Sequence, residues 1–559
     1  MGTLLCALGL ALALQAPEEA PFREPVALAP GPQPHTLLVG CANGEVLALR
    51  DGQCQEAQSI ADRIDDFARI GERSWAAVDE RNHALVLVRD WPPVALERRS
   101  IASPSALLLS SRGLVIASAA RRELVRAELR IGAAGFELDL DANVLALPFE
   151  PGQLLELDLF GQLLVLERHG GRLALVDLER WELSSTHALP ASNFGTPALD
   201  EAQTLLLPHQ LVDPLGRTSF DDVHWGNLVR NVLRELPLRD LMRGAFHGEG
   251  LATRAPALLG EVGRAAGDPT AALVDPAGRV WVAIGGTDEL LRLDPDAREP
   301  LRVGVGRRPS ALALHQGELV VANRLGGSLS LVQLESGAQR ELLLGAAPSA
   351  DAIARGRSLF FDARLSHDGW MSCHSCHADA RSTGAFVDTL GDDSFGTPKR
   401  TPSLLGVGAT APFAWNGSQP SLEAQLEKTL RTTMHAEGAS EQQIAELAAF
   451  LRSLPAPPER ELDERALRGS EHFERVGCVD CHTPPAYTSA AVYAVGVRDE
   501  DGLEEFNPPS LRGVGGRERL FHDGRFHSLE QLFAQARHPG TEELSRLELA
   551  ELAAFLRAL

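Results

Sequence analysis

Two stretches decide how the long front part of the chain reads: Asp268–Asp296, DPTAALVDPAGRVWVAIGGTDELLRLDPD, and Arg307–Gly337, RRPSALALHQGELVVANRLGGSLSLVQLESG. Each opens on proline, a small residue and an alanine-leucine run, then turns into an apolar strand containing Val-Ala. A glycine turn and a third apolar strand follow. Pro269 and Pro309 mark matching points 40 residues apart. Short apolar runs bounded by Gly, Asp and Asn are strand and turn signals. A repeat of this length carrying several strands is the signature of a propeller blade. Working outward, fainter copies occur from His35 (HTLLVGCANGEVLALRDG), from Ser103 (SPSALLLSSRGLVIASAARRELVRAEL) and from Gly161 (GQLLVLERHGGRLALVDLE). Residues 25–347 are therefore expected to form a β-propeller of about seven blades. One segment, 208–250, breaks the rhythm with a partly helical pattern. It holds His209, His224, Trp225 and His247 and is expected to be an insertion between blades.

The chain is 559 residues long, too long for one core, and should hold three or so domains. Its 53 basic and 76 acidic residues leave a formal charge of -23, which argues against nucleic acid and anionic membranes as partners. Such a field would steer the basic patches of small electron carriers. The apolar run Thr3–Leu14 is too short to span a bilayer and suits a signal peptide over 1–16, although a basic amino-terminal region is missing. Export to the periplasm or another oxidising compartment is the expectation, with no transmembrane helix. Of seven cysteines, Cys6 would leave with the leader. Cys41 and Cys54 flank a hairpin turn at Asn43-Gly44 and read either as a disulfide or as two buried thiols.

Beyond Pro348 the apolar period changes from 2 to 3.6, and the chain becomes α-helical. The helical part is also duplicated. AELAAFLR occurs at 445–452 and 550–557; Arg355, Gly356 and Phe360 are answered by Arg468, Gly469 and Phe473. PSLLGVG from Pro402 is answered by PSLRGVG from Pro509, and WNGSQPSLE from Trp415 by HDGRFHSLE from His522. Each copy carries one C-x-x-C-H: Cys373, Cys376 and His377 in the first, Cys478, Cys481 and His482 in the second. In this pentapeptide the two thiols can form thioether bonds to haem vinyl groups, and the adjacent histidine ligates the iron. A redox cysteine pair, or a zinc site built from all four cysteines, is the alternative. Neither explains why histidine follows both times. The expected organisation is thus a propeller followed by two tandem α-helical cytochrome c domains, 350–455 and 464–559, each with one covalent haem c.

The second axial position separates an open, reactive iron from one that mainly passes electrons. Met434, 57 residues after His377, is a candidate ligand in the first module, and core packing is its other reading. The second module has no methionine; alignment on AELAAFLR places His538 beside the equivalent position, making it the candidate ligand there.

At ARGRSLFFDARLSHDGWMSCHSCH, RTPSLLGVGATAPFAWNGS and RLFHDGRFHSLEQL the sequence resembles the bacterial di-haem cytochrome c peroxidase family, which includes the MauG-like enzymes. The resemblance covers roughly 350–559. The front resembles the YVTN-type propellers sometimes fused to such domains. The resemblance implies a second haem that takes electrons from a small soluble donor of cytochrome c or cupredoxin type. It passes them to a first haem, where hydrogen peroxide is reduced. It places Trp415 where the family has a tryptophan between its haems, and it implies a calcium for which this sequence offers no ligand set. The family's glutamate-methionine pair near the first haem corresponds here to Thr433-Met434, so the acid-base carboxylate is missing. In the family the aligned methionine sits beside the distal pocket without binding iron, which leaves two states here: a first haem six-coordinate with Met434, or one open and reactive. Glu427 and Glu437 are near in sequence, and His435 is a candidate substitute proton carrier. Peroxidase-type chemistry is the first functional reading. A non-catalytic di-haem electron-transfer protein, with a propeller that docks a partner, is the alternative. A dehydrogenase seated in the propeller has no cofactor-binding cluster to support it.

Overall fold

The computed structural model describes residues 20–132, 135–140, 143–247, 255–294, 297–391, 394–500, 502–536 and 538–559. The expected leader over 1–16, with Cys6, lies outside them. The chain divides into two compact units: one takes the chain to Leu211 together with Asn231–Leu259 and Ala266–Ser349, the other takes Val212–Arg230, Gly260–Ala265 and Ala350–Leu559.

Seven sheets make the first unit, over 25–59, 66–100, 104–146, 151–188, 198–258, 269–304 and 309–343, each taking four or five strands in chain order. They are the blades of a seven-bladed propeller. In five blades the first strand starts on proline: Pro25, Pro104, Pro151, Pro269 and Pro309. Proline has no N–H to give the ladder, and each of these strands shifts register directly after it. The repeat proline of the sequence is therefore the point where the innermost strand enters its blade.

Buried strands such as Thr36–Cys41 and Ser74–Asp79 are inaccessible on both faces because each blade is covered by its two neighbours. Leu38 and Val46 pack with Trp75 and Val86 of the second blade, whereas Leu37 and Val39 pack with Val320 and Leu329 of the seventh. Equivalent apolar clusters join every other consecutive pair of blades, so the ring closes on itself. Arginines pin the closure. Arg23 donates to the Leu344 carbonyl at 2.7 Å and pairs with Glu45 at 2.7 Å; Arg324 pairs with Glu24 at 2.6 Å.

The expected insertion over 208–250 is narrower than its sequence pattern. Pro208 and His209 lie in a blade strand, Thr204–Val212, and Val229–Pro237 is the next strand of the same blade. The following helix, Leu238–His247, buries Leu238, Leu241 and Met242 against that blade's neighbour core. What leaves the propeller unit is Val212–Arg230, with the short helix Phe220–His224, and Gly260–Ala265. Cys41 and Cys54 are unbridged thiols in the closing cluster, and burial pushes the Cys54 thiol up to about 12.

The second unit repeats one helical module twice. The helix Ala352–Phe360 crosses Glu441–Ser453, and Glu464–Arg475 crosses Arg546–Ala558. At both crossings glycine is required: a Cβ on Gly356 would lie 1.9 Å from the Glu446 carbonyl, and one on Gly469 2.1 Å from that of Glu551. Arg355 pairs with Glu446 at 2.5 Å and Arg468 with Glu551 at 2.6 Å. Phe360 meets Phe450, and Phe473 meets Phe555, both at 5.4 Å between ring centres. Capping boxes at Ser440/Gln443 and Ser545/Glu548 start the two final helices. The duplicated motifs are thus the helix-crossing residues.

Candidate functional site

Cys373–Cys376 and Cys478–Cys481 each form a single helical turn that ends on its histidine, His377 or His482. One turn places the two sulfurs and the imidazole on neighbouring positions of the same surface. Each imidazole is then fixed by a carbonyl. His377 Nδ1 donates to Pro402 O at 2.9 Å, and His482 Nδ1 donates to Tyr487 O at 3.1 Å, with the Pro509 backbone also at hand. With Nδ1 carrying the proton, the Nε2 lone pair is left for a metal. Burial lowers both histidines to about 4, so they are neutral over the whole physiological range. The repeated PSL motif had no role in the sequence; Pro402 and Pro509 show that it brings up the backbone that orients the ligand.

A cavity of about 360 Å³ opens beside the first turn. Cys373, Cys376, His377, Leu404 and Val407 line it together with Gln425, Leu426, Thr429, Thr433 and Met434, and it runs on to Trp415, Asn507, Arg512 and Arg517. Haem c fits this lining. Its walls are largely apolar, yet Arg400 and Arg517 face into it with no ion pair among the described residues. Burial lowers both guanidinium pKa values, Arg517 to about 9, and the buried Nε atoms of Arg400 and Arg512 lack an acceptor. Uncompensated buried cations are costly, and the two carboxylates of a porphyrin would supply what is missing. A zinc site built from all four cysteines has no support: among the described residues the four do not form a metal-ligating group.

His538 faces His482 with the rings 26° from parallel and their centres 6.4 Å apart. Two imidazoles holding one metal from opposite sides, at about 2 Å each, place their ring centres roughly 6 Å apart. The separation of the His482 and His538 ring centres is compatible with both residues holding one metal. Burial lowers the His538 pKa, which keeps its lone pair available. In the first module Met434 is buried in the module core and also lines the cavity. Thr433 and Gln425 line it too, and the buried Gln425 Oε1 has no partner. His435 is placed differently from the expectation of a proton carrier. It lies outside the lining, and its Nε2 meets the Thr218 carbonyl at 2.8 Å. Glu427 and Glu437 are also outside it.

Trp415 and His522, equivalent positions of the two modules, meet edge to face at 6.1 Å. Arg400 sits 5.8 Å over the Trp415 ring, and His522 stacks on Phe506 at 4.3 Å. Sequence reasoning missed Arg400, Gln425 and Arg517; an arginine or glutamine inside a helical repeat carries no signal until the fold buries it.

Residues 350–458 match the family model described as di-haem cytochrome c peroxidase. The C-terminal part of the chain is similar to this peroxidase and MauG-like family, and it follows a propeller. Among the similar proteins is the methylamine utilization protein MauG of Methylophilus methylotrophus, 26% identical over an alignment of 271 residues that covers 36% of this chain and 81% of that protein. Cytochrome c551 peroxidase of Nitrosomonas europaea is 26% identical over an alignment of 270 residues that covers 38% of this chain and 80% of that one. A solved hydrazine synthase of Kuenenia stuttgartiensis superimposes with a TM-score of 0.47 at 11% identity, covering 58% of this chain and 99% of that chain. No helix among the described residues is long and apolar enough to cross a membrane.

Proposed function

We propose that this protein is an exported, periplasmic di-haem c oxidoreductase of the cytochrome c peroxidase type. It would draw electrons from a small soluble donor, a cytochrome c or a cupredoxin, and deliver them to hydrogen peroxide. The observation that carries this reading is the pair of C-x-x-C-H turns, each with its histidine Nδ1 held by a carbonyl, the first of them beside a cavity lined by Arg400 and Arg517, neither in an ion pair among the described residues. Two covalent haem c groups, one on Cys373, Cys376 and His377 and one on Cys478, Cys481 and His482, would supply the redox chemistry. With His538 as the second ligand opposite His482, the second site would serve electron transfer. Trp415 and His522 stand between the modules in ring contact. In the first site Thr433 Oγ1 and the Gln425 amide are the polar groups near Met434 that could hold a proton or a bound oxygen species in place of the family's glutamate.

One observation favours the second reading, a non-catalytic electron-transfer protein with a partner-docking propeller. Among the described residues no carboxylate lines the cavity, while the Met434 thioether does. The two readings part on mixing half-reduced protein with hydrogen peroxide in a stopped-flow instrument. The peroxidase reading expects a high-spin iron that reacts, and a Met434→Ala spectrum like the wild type's. A wholly low-spin, unreactive protein in which Met434→Ala alone creates a high-spin iron establishes the second reading instead.

A further inference from the structure

The two segments that leave the propeller unit converge with the first haem module on a cluster the haem chemistry does not use. His224 sits at the end of the short helix Phe220–His224, and His367 and Asp368 lie in the loop ahead of the first cysteine. His224 Nδ1 and His367 Nε2 are 3.0 Å apart; Asp368 Oδ2 lies 3.6 Å from the former and 3.5 Å from the latter. These three atoms form a nearly equilateral triangle. Ligands held about 2.0–2.1 Å from a tetrahedral metal are spaced about 3.3 Å from one another, which is the size of this triangle.

We propose that His224 Nδ1, His367 Nε2 and one carboxylate oxygen of Asp368 form a binding site for a single divalent transition-metal ion of the zinc type, with a fourth position left for solvent. Two imidazoles and one carboxylate are donors that zinc accepts. Calcium, the ion the family resemblance implies, takes oxygen donors and wider spacing, so this is a different site. The surroundings hold the donors in place. Asp368 takes a left-handed backbone, φ 58°, and its Oδ2 accepts the Gly263 N–H at 2.8 Å, while its own carbonyl accepts from Ala265 N at 3.0 Å. Trp370 Nε1 donates to the His224 carbonyl at 3.3 Å. The Phe220 ring lies parallel to His224 and 4.8 Å from His367, covering one side of the triangle. Gly226, at φ 64°, lets the indole of Trp370 approach so closely that a Cβ would sit 2.8 Å from it. The donors thus come from two distant parts of the chain, and an ion there would staple Val212–Arg230 onto the first haem module. Without an ion, two imidazole nitrogens at 3.0 Å must share one proton, a weaker tie.

The test uses the full haem-loaded chain, stripped of loose metal with a chelator and equilibrated with Zn²⁺, with zinc and iron then counted by elemental analysis. One zinc per chain is expected. His224→Ala and Asp368→Asn should each weaken zinc binding at least about a hundredfold, with the haem absorbance and far-ultraviolet circular dichroism unchanged as the check on folding. If one variant fails to fold, the other decides. The proposal is overturned by wild-type protein that takes up no zinc, or by folded variants that bind it as tightly as the wild type. Neither result depends on peroxide turnover, so the proposed function stands or falls separately.

Discussion

At the scale of single residues the sharpest feature is the pair His482 and His538, parallel within 26° and 6.4 Å apart. Replacing His538 by alanine should abolish one low-spin haem signal in the oxidised protein's electron paramagnetic resonance spectrum. Replacing it by methionine should keep that iron low-spin and raise its reduction potential, because a thioether donates less charge than an imidazole. A spectrum and potentials indifferent to both changes would remove His538 from the iron. How visible such residues were in the sequence differs by type. The cysteines and proximal histidines announce themselves because covalent attachment needs them adjacent in the chain. His538, the proposed distal ligand, emerged only through alignment of the two modules, since such a ligand would approach from another part of the fold. Arg400, Gln425 and Arg517 were invisible, because what singles them out is burial: among the described residues Arg400 Nε and Gln425 Oε1 lack a partner, and the buried Arg517 guanidinium bonds only to carbonyls.

Between residue and domain lies the helix crossing, which the sequence spelled out twice. Gly469 approaches the Glu551 carbonyl so closely that a Cβ would stand 2.1 Å from it, and the crossing carries the Arg468–Glu551 pair on the same turn. Gly469→Ala should therefore cost about 2 kcal/mol or more through overpacking, despite alanine's better helix propensity. Denaturant unfolding followed by the helical signal measures this, and a neutral or stabilised variant would show that the helices can separate without loss. The strands tell a different story. Their existence was legible from alternation and turn residues, and so was the 40-residue repeat. The extent of the excursion between blades was not. Thr204–Val212 and Val229–Pro237 carry His209, Asn231 and Arg234 at buried positions, so their polarity resembles an insertion although they are blade strands.

At the scale of the whole molecule, the propeller holds together by apolar clusters between consecutive blades, with few charges inside. His209 is an exception: it is fully buried, its Nδ1 donates to the Gln210 carbonyl at 3.0 Å, and its Nε2 accepts from Arg234 at 3.1 Å. Burial lowers its pKa from 6.5 to about 4. The unfolded chain therefore binds a proton below about pH 6.5 that the folded chain refuses until about pH 4. Stability from this group is fully present above pH 6.5 and falls with acidification by at most about 1.4 kcal/mol per pH unit across that window. Burial pushes Asp66 up to about 6, which works the other way below that pH. The expected readout in thermal unfolding is therefore the difference: between pH 7 and 4 His209→Gln should lose less stability toward acid than the wild type. An equal slope in the variant would place the acid sensitivity elsewhere.

The sequence by itself determined the number of modules, their order, and the two C-x-x-C-H motifs on which the proposed haems would sit, because repeats and covalent motifs are written in adjacent residues. Tertiary structure alone decided which residues become neighbours from far apart. It brought His538 to face His482, left two arginines uncompensated beside a cavity, and drew His224 to His367 and Asp368. Those pairings depend on how folded segments approach one another in space, and no spacing along the chain encodes that distance.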